Sequence, residues 1–516
     1  MFVNSDIATS NLRDLSTQIS LGLPFDDGSI WMKPPKVFMT AWSVLAMVLL
    51  ASSFAFAEKE SSTIPSDWNH LSESESRISD EALPLQIDAV PDRPKLVTEL
   101  IPVPLGDSFL GSGPLGWEFT LPTGAVWRPS LWVFGTYRTA IQSFDSGPAE
   151  RVTEWTNRLD LFGNLKLSGS ERILIGIRPL DQDGNFSSYQ FHPDKDAEGE
   201  FNANIRTLFF EGDFGEIFPN LDTADGRALD LGFSVGRQPL FFQNGQLIQD
   251  SIDAVGITKN NIPFPWTSNA RMTAIFGWNN VNRNETRDGR NQDDQNAKLF
   301  GLFTEIDFPI STVDIDMVFV SSDKNAGDAI FGGISGVQRI GPLNTTFQIN
   351  TSYPLDGETI ETSRGTLLFS EISWVPPRSH NILYLNAFWG IDQFSSAARN
   401  FAAGGPLGRV GILFASVMLG EYGSPLSNQA ADAVGGSLGY QAFFGVTRDK
   451  QLILEIGGRD NTQKTSILRN RGAAAIGARY QQAFWQRFTV QFDLFGAIQE
   501  DRKDAHGARM ELSMRF

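Results

Sequence analysis

The 516 residues carry 60 acidic and 42 basic side chains and no cysteine. A net charge of -18 argues against general nucleic-acid binding, and a chain without cysteine has no disulfides, thiolate nucleophiles or cysteine metal sites. No apolar run beyond the N-terminal region reaches the ~20 residues of a spanning helix, yet a mean hydropathy of -0.17 leaves room for spanning strands, which hide their apolar residues in alternation.

Lys33 and Lys36 precede an apolar stretch from Val37 to Leu50, and Ala55-Phe56-Ala57 closes it. A positive region, an apolar region and a small-residue site predict a secretory signal peptide cut after Ala57, with a single anchoring helix as the alternative. Residues 1–31 are polar, with Arg13 as their one base, and do not fit such a leader. The expectation is that they are a mis-called extension and that translation starts at Met32. From Glu58 to Leu100 there are ten acids and four bases, without a clear period. The segment 58–128 is therefore expected to be a disordered periplasmic lead-in or, through its less polar half from Ile101 to Gly116, a plug.

From about residue 129 the pattern changes to short strands and polar connectors. Leu159, Leu161 and Leu165 oppose Arg158, Asp160, Asn164 and Lys166. Val313, Ile315, Met317 and Phe319 oppose Asp314 and Asp316, and Phe488, Val490, Phe492 and Leu494 oppose Arg487, Gln491 and Asp493. Successive strand residues point to opposite faces, so each strand has one apolar and one polar wall. Strands of ~9–11 residues over 129–516 predict an all-β transmembrane antiparallel barrel of 18 strands, with 16 the alternative. Pro179–Glu200 and Asn279–Ala297 read as extracellular loops, and Pro376-Pro377-Arg378 and Asp449-Lys450 as periplasmic turns. Counting back from Phe516 leaves the strand at 381–393 pointing the wrong way. Either a strand between 394 and 433 is missing or a periplasmic turn there is long, and Glu421–Ala433 is the candidate for a turn folded into the lumen.

Signals for catalysis are poor. His70, His192, His380 and His506 fall in the tail, loops and a turn, with no Ser or carboxylate partner evident and no metal-binding spacing. No enzyme activity, metal or cofactor is expected. The inward faces are more informative. They place Arg138, Arg158, Lys166, Arg172, Arg178, Arg206 and Arg237 early, Glu305, Asp307, Asp314 and Asp316 in the middle, and Arg479, Arg487, Arg509 and Arg515 late. Barrel closure joins the early and late bases into one basic arc facing the acids, an arrangement that sets which solutes pass.

Gly236-Arg237-Gln238, then Asn244-Gly245-Gln246, then Asp253-Ala254-Val255, resembles a segment of the alginate-export channels of outer membranes. That resemblance implies an 18-stranded barrel with an arginine-rich lumen; Pro239 and the acidic patch depart from the pattern, so alginate itself is not carried over. The last strand sets Ala508, Met510, Leu512, Met514 and Phe516 against Arg509, Glu511, Ser513 and Arg515. It resembles the C-terminal strand of bacterial outer-membrane barrels, which finish on Phe and are recognised by the assembly machinery. Pairing it with the first strand, with Phe516 at the closure, removes the exposed edge. The sequence thus predicts an outer-membrane channel for passive passage of small hydrophilic solutes or oligosaccharides, anions preferred. Its partners are outer-membrane lipid, the assembly machinery and the solute. The rival readings are a lipid-modifying enzyme and a hydrophobic-substrate transporter with an N-terminal plug.

Overall fold

The computed structural model describes residues 118–516 apart from 148, 183, 222–228, 284–291, 323–325, 360, 446, 463–471, 485–486 and 501. The expected leader, the Met32 start and most of the 58–128 segment lie outside the described residues.

Eighteen antiparallel strands close one barrel. They are β1 Ser130–Asp145, β2 Val152–Lys166, β3 Arg172–Ile177, β4 Ile205–Asp213, β5 Gly232–Phe242 and β6 Ile248–Lys259. Then come β7 Asn269–Asn279, β8 Lys298–Phe308, β9 Ser311–Ser321, β10 Ala329–Ile340, β11 Leu343–Pro354 and β12 Gly365–Trp374. The last six are β13 Ile382–Asp392, β14 Ala433–Phe444, β15 Lys450–Asn461, β16 Ala473–Phe484, β17 Phe488–Gln499 and β18 Ala505–Arg515. Each pairs with its chain neighbours, and β18 closes on β1 from His506↔Asp145 to Arg515↔Thr136. Phe516 extends this ladder, exchanging both backbone bonds with Gly135 at 2.9 and 3.1 Å. Its ring lies over Gly135, where a Cβ would come within 2.9 Å of it.

The outer face is apolar. Ile141, Ile315, Met317, Leu454, Ile456, Leu494 and Met510 are all exposed, while Gln142, Asp316, Glu455, Asp493 and Arg509 beside them in sequence are buried. In water such a belt would be an aggregation surface; against lipid it is the favourable one. The turns 309–310 and 341–342 lie at the end where β1 starts and β18 stops, and the long connections 178–204, 280–297 and 393–432 lie at the other. By that asymmetry the first end is periplasmic and the second extracellular. The expected loops and the two expected turns fall on these respective ends.

The wall has no missing strand. β13 pairs directly with β14, from Ile382↔Gln441 to Gly390↔Ala433, so the segment 393–432 leaves and re-enters at the extracellular rim. The expectation of a long periplasmic turn or an extra strand there is corrected. The segment does fold into the lumen, but from the other end. Above β3 the wall is completed by a loop strand, Asn185–His192, which pairs with the upper part of β2.

One hairpin also departs from the wall. β5 pairs with β4 only from Gly232 to Arg237, and β6 pairs with β7 only from Asp253 to Lys259. The tip between, 238–252, folds inward. Gly236 permits the departure: its φ is +126°, and a Cβ there would sit 2.2 Å from the Leu208 carbonyl oxygen. The tip buries Leu240, Phe242, Leu247, Ile248 and Ile252 against Leu299, Phe303, Val318, Val320 and Phe331 of the inner wall. Phe242 stacks on Phe303 at 3.5 Å.

Candidate functional site

The lumen is built around the seam where β18 meets β1. Strand alternation puts Arg138 and Gln142 of β1, Glu154, Arg158 and Asp160 of β2, Arg479 of β16, Asp493 of β17 and Arg509 and Glu511 of β18 on the inner face. Closure then sets long cations beside carboxylates on neighbouring strands. Arg138 grips Glu511 with Nε and Nη2 at 2.7 and 2.9 Å. Arg509 donates to Asp493 at 2.9 Å and to Gln142 at 3.1 Å, and forms an ion pair with Glu511. Arg479 holds the other oxygen of Asp493 at 2.6 Å. Arg158 is bidentate to Asp160 at 2.8 and 3.1 Å, and Arg178 bridges Asp160 and Asp181 at 2.7 and 3.1 Å. Fork-shaped guanidinium–carboxylate pairs fix each side chain and offset the cost of its burial.

The expected basic arc is therefore a charge-paired ribbon. Asp160, Asp181, Asp493 and Glu511, together with Glu154, stand among Arg138, Arg158, Arg178, Arg479 and Arg509. Sequence reading placed the arginines but left these acids out of the site. The alternation that faced Arg509 inward also faced Glu511 and Asp493, so the signal was present.

The 393–432 insertion crosses to this ribbon. The carbonyls of Val417, Met418 and Leu419 accept from Arg138 at 3.2 Å, Arg158 at 2.9 Å and Gln142 at 3.1 Å. Glu154 accepts the backbone N–H of Glu421 at 2.7 Å. Gly420 makes the approach possible, since a Cβ there would lie 2.5 Å from both Gln142 and Glu154. A second anchor is Glu455 of β15, which accepts the N–H groups of Ile412 and Leu413 at 2.9 and 3.0 Å. The start of the insertion docks on the inward hairpin: Ala398–Arg399 pairs in parallel with Ile248–Gln249, and Arg399 donates to the Gly245 carbonyl. Arg409 covers the Phe241 ring at 4.4 Å. Insertion and hairpin together narrow the lumen.

Below this constriction the wall carries amides. Gln441, Gln451, Gln481 and Gln491 hydrogen-bond in series across β14 to β17, and Gln491 donates to Asp493 at 2.6 Å. The other sequence-predicted residues are dispersed. Arg172 pairs with Glu211 at 2.5 Å on a face shared with Lys166. Arg206 reaches the Asp181 carbonyl at 3.5 Å. Arg487 and Arg515 meet through backbone at the periplasmic rim. Glu305 lies 3.9 Å from Arg271, Asp307 accepts from Thr312 and Asp314 from Ser335, both at 2.7 Å. Asp316 faces inward but is covered by the hairpin tip, whose Gln243 donates to it at 2.9 Å.

Arg237 does not line the pore. It shares a face with Leu208 and Val235, which are exposed on the outer surface. It is paired there with Asp253 at 2.7 and 2.9 Å, and Asn279 donates to the same carboxylate at 2.7 Å. Alternation from Val235 keeps the arginine on the outward face. The three short motifs around Gly236, Asn244 and Asp253 are thus the hinge, tip and return of one inward hairpin, with Arg237 and Asp253 tying its two legs together.

His192 Nδ1 meets the Arg151 carbonyl and His380 Nε2 meets Arg448, while His506 is the second residue of β18. Among the described residues no group of three or more His, Asp and Glu side chains is disposed to hold a metal ion.

A closed 18-strand barrel with an apolar belt and a polar, partly filled lumen has the architecture of an outer-membrane β-barrel. No known protein family and no curated protein matches the sequence. Solved structures match the fold. OccK2 (OpdF) of Pseudomonas aeruginosa aligns with a TM-score of 0.50 at 10% identity, over 75% of this chain and 97% of that one. A structure of the same protein in complex with glucuronate gives 0.49 at 10% identity, over 75% and 98%. OccAB3 of Acinetobacter baumannii gives 0.49 at 10% identity, over 75% and 99%.

Proposed function

We propose that this protein is a passive outer-membrane channel for small hydrophilic solutes, with a modest preference for anions. The observation that carries the reading is the inner wall at the seam, where five arginines are fixed by carboxylates beside a ladder of glutamine amides. Such a wall offers a solute hydrogen-bond donors in place of water at every level. The preference is modest because each of these arginines already has a carboxylate partner. The apolar patch under the hairpin is packed dry, so it supports the hairpin rather than a lipid-like cargo. The pore-lining role of the predicted residues other than Arg237, and the absence of enzymatic activity, belong to this proposal. Reconstitution in planar bilayers tests it: ohmic current with a reversal potential shifted towards anions is expected, and no conductance, or strong cation selectivity, would refute it.

A further inference from the structure

The outer face carries two apolar grooves that differ at their ends. One, of about 580 Å³, runs over β6 to β10 between Val255, Phe276, Phe300, Met317 and Ile330, and among the described residues no charged side chain lines it. The other, of about 420 Å³, lies over β15 to β18 and the end of β1. Leu454, Ile476 and Leu494, exposed on the barrel surface, wall it. Gly496 and Ala508 lie between them, and a Cβ built on Gly496 meets nothing within 4 Å, so the space above it is open. At the extracellular end stand Arg151 and His506, both exposed, and among the described residues no carboxylate lines this groove.

Arg151 and His506 come together because two extracellular turns abut. Gln499 of β17 donates to the Ser146 carbonyl at 3.0 Å, and a Cβ on Gly147 would sit 2.2 Å from the Lys503 carbonyl oxygen. Lys503, also exposed, adds a second cation to this corner. The nearby acids are turned to other uses or stand off the groove: Asp145 accepts the Gly147 N–H at 2.7 Å, and Glu150, Glu500 and Asp504 do not line it. Long cationic side chains at the edge of an apolar face lay their stems on it and carry their charge to an anionic interface. This groove belongs to the lipid-facing belt and ends in cations on the extracellular side. That combination suits a lipid whose head carries phosphate, with a chain over Gly496 and the phosphate at Arg151. The first groove has no cation and offers only apolar contact, open to any acyl chain.

We propose that the groove over β15 to β18 is a binding site for one phosphorylated glycolipid of the outer leaflet. Arg151 holds its phosphate, His506 and Lys503 stand beside it, and an acyl chain fills the space above Gly496. The site is independent of what the lumen passes. Full-length protein refolded in detergent is titrated with bisphosphorylated lipid A and with its dephosphorylated form, and bound lipid is counted by native mass spectrometry. One bisphosphorylated lipid is expected to be retained in preference to the dephosphorylated one. Arg151→Gln, in an exposed turn with little bearing on folding, is expected to weaken that retention about fivefold, the effect of one cation at an anionic surface. Gly496→Leu fills the open space from the barrel side and is expected to abolish the preference, with heat-modifiability on gels showing that the barrel is folded. Equal retention of the two lipids, or full retention in Arg151→Gln, overturns the site. Lipid-free dimers or trimers that Gly496→Leu breaks apart would also overturn it, and would make the groove an interface between copies of this chain.

Discussion

The two sides of the lumen are covered in opposite ways. At the seam the inner wall is charged, and its cover is backbone: three successive carbonyls of the insertion meet Arg138, Arg158 and Gln142. On the far side the upper wall of β8 to β10 is apolar, and its cover is the hydrophobic tip of the inward hairpin. The first contact is directional and leaves polar groups around it for solute. The second is a dry core that shuts off its part of the lumen and serves as a fixed abutment for the insertion. On the proposed channel reading, the seam side carries the solute and the far side supplies rigidity.

The largest effect should come from removing the cover of the seam alone. Replacing residues 402–428 by a short Gly-Ser linker is expected to raise single-channel conductance several-fold, because the hairpin retains its own packing and the barrel stays closed. Unchanged conductance would mean that the insertion does not bound the path. The matching change on the other side is Gly236→Val. With φ at +126° and a carbonyl 2.2 Å from the new Cβ, the hairpin cannot turn inward without strain of at least about 1–3 kcal/mol. The variant is expected to show a lower unfolding temperature by heat-modifiability on gels, and equal stability would contradict the hinge.

The contrast between these two walls also marks how much the sequence made legible. Period-two alternation identified the class of fold, the strand count and which side chains share a face, because a strand exposes its two faces strictly in turn. It put Arg138, Arg158 and Arg509 on one wall through closure at Phe516. It misplaced Arg237, which unbroken alternation from the outward Val235 and pairing with the outward Leu208 keep on the outer face. It also read the inward faces as mostly polar, although Leu299, Val318, Val320 and Phe331 lie inside. Alternation says where a side chain points but not which segment covers it. The covering segments, 238–252 and 393–432, are set by contacts between residues more than a hundred positions apart, such as Asn350 with Gln246 and Arg158 with Met418.

A smaller effect isolates the seam's charge. Arg158→Gln leaves Asp160 to Arg178 and removes one cation without touching the hairpin side. The reversal potential under a salt gradient is expected to move towards zero while conductance changes little. A loss of all current would instead identify Arg158 as a structural support for the insertion.

The smallest expected effect is on how firmly the insertion sits. Glu421 is exposed, yet desolvation by the surrounding segment, with Glu154 and Glu198 adding like charge, holds its carboxyl above the ordinary value. A raised folded-state value means that the seated form binds the proton better than the free one. The contribution is complete below the unfolded value, near 4.5, and is lost as pH rises through the folded one. Acidifying from neutral towards that range should therefore steady the insertion and lower open-channel noise on the seam side. Glu421→Gln should be quiet at both pH values, because its side chain carries no charge to lose. Noise that grows on acidification in the unmodified protein, or a pH response that survives in Glu421→Gln, would place the sensitive group elsewhere and leave the insertion's seat indifferent to this carboxyl.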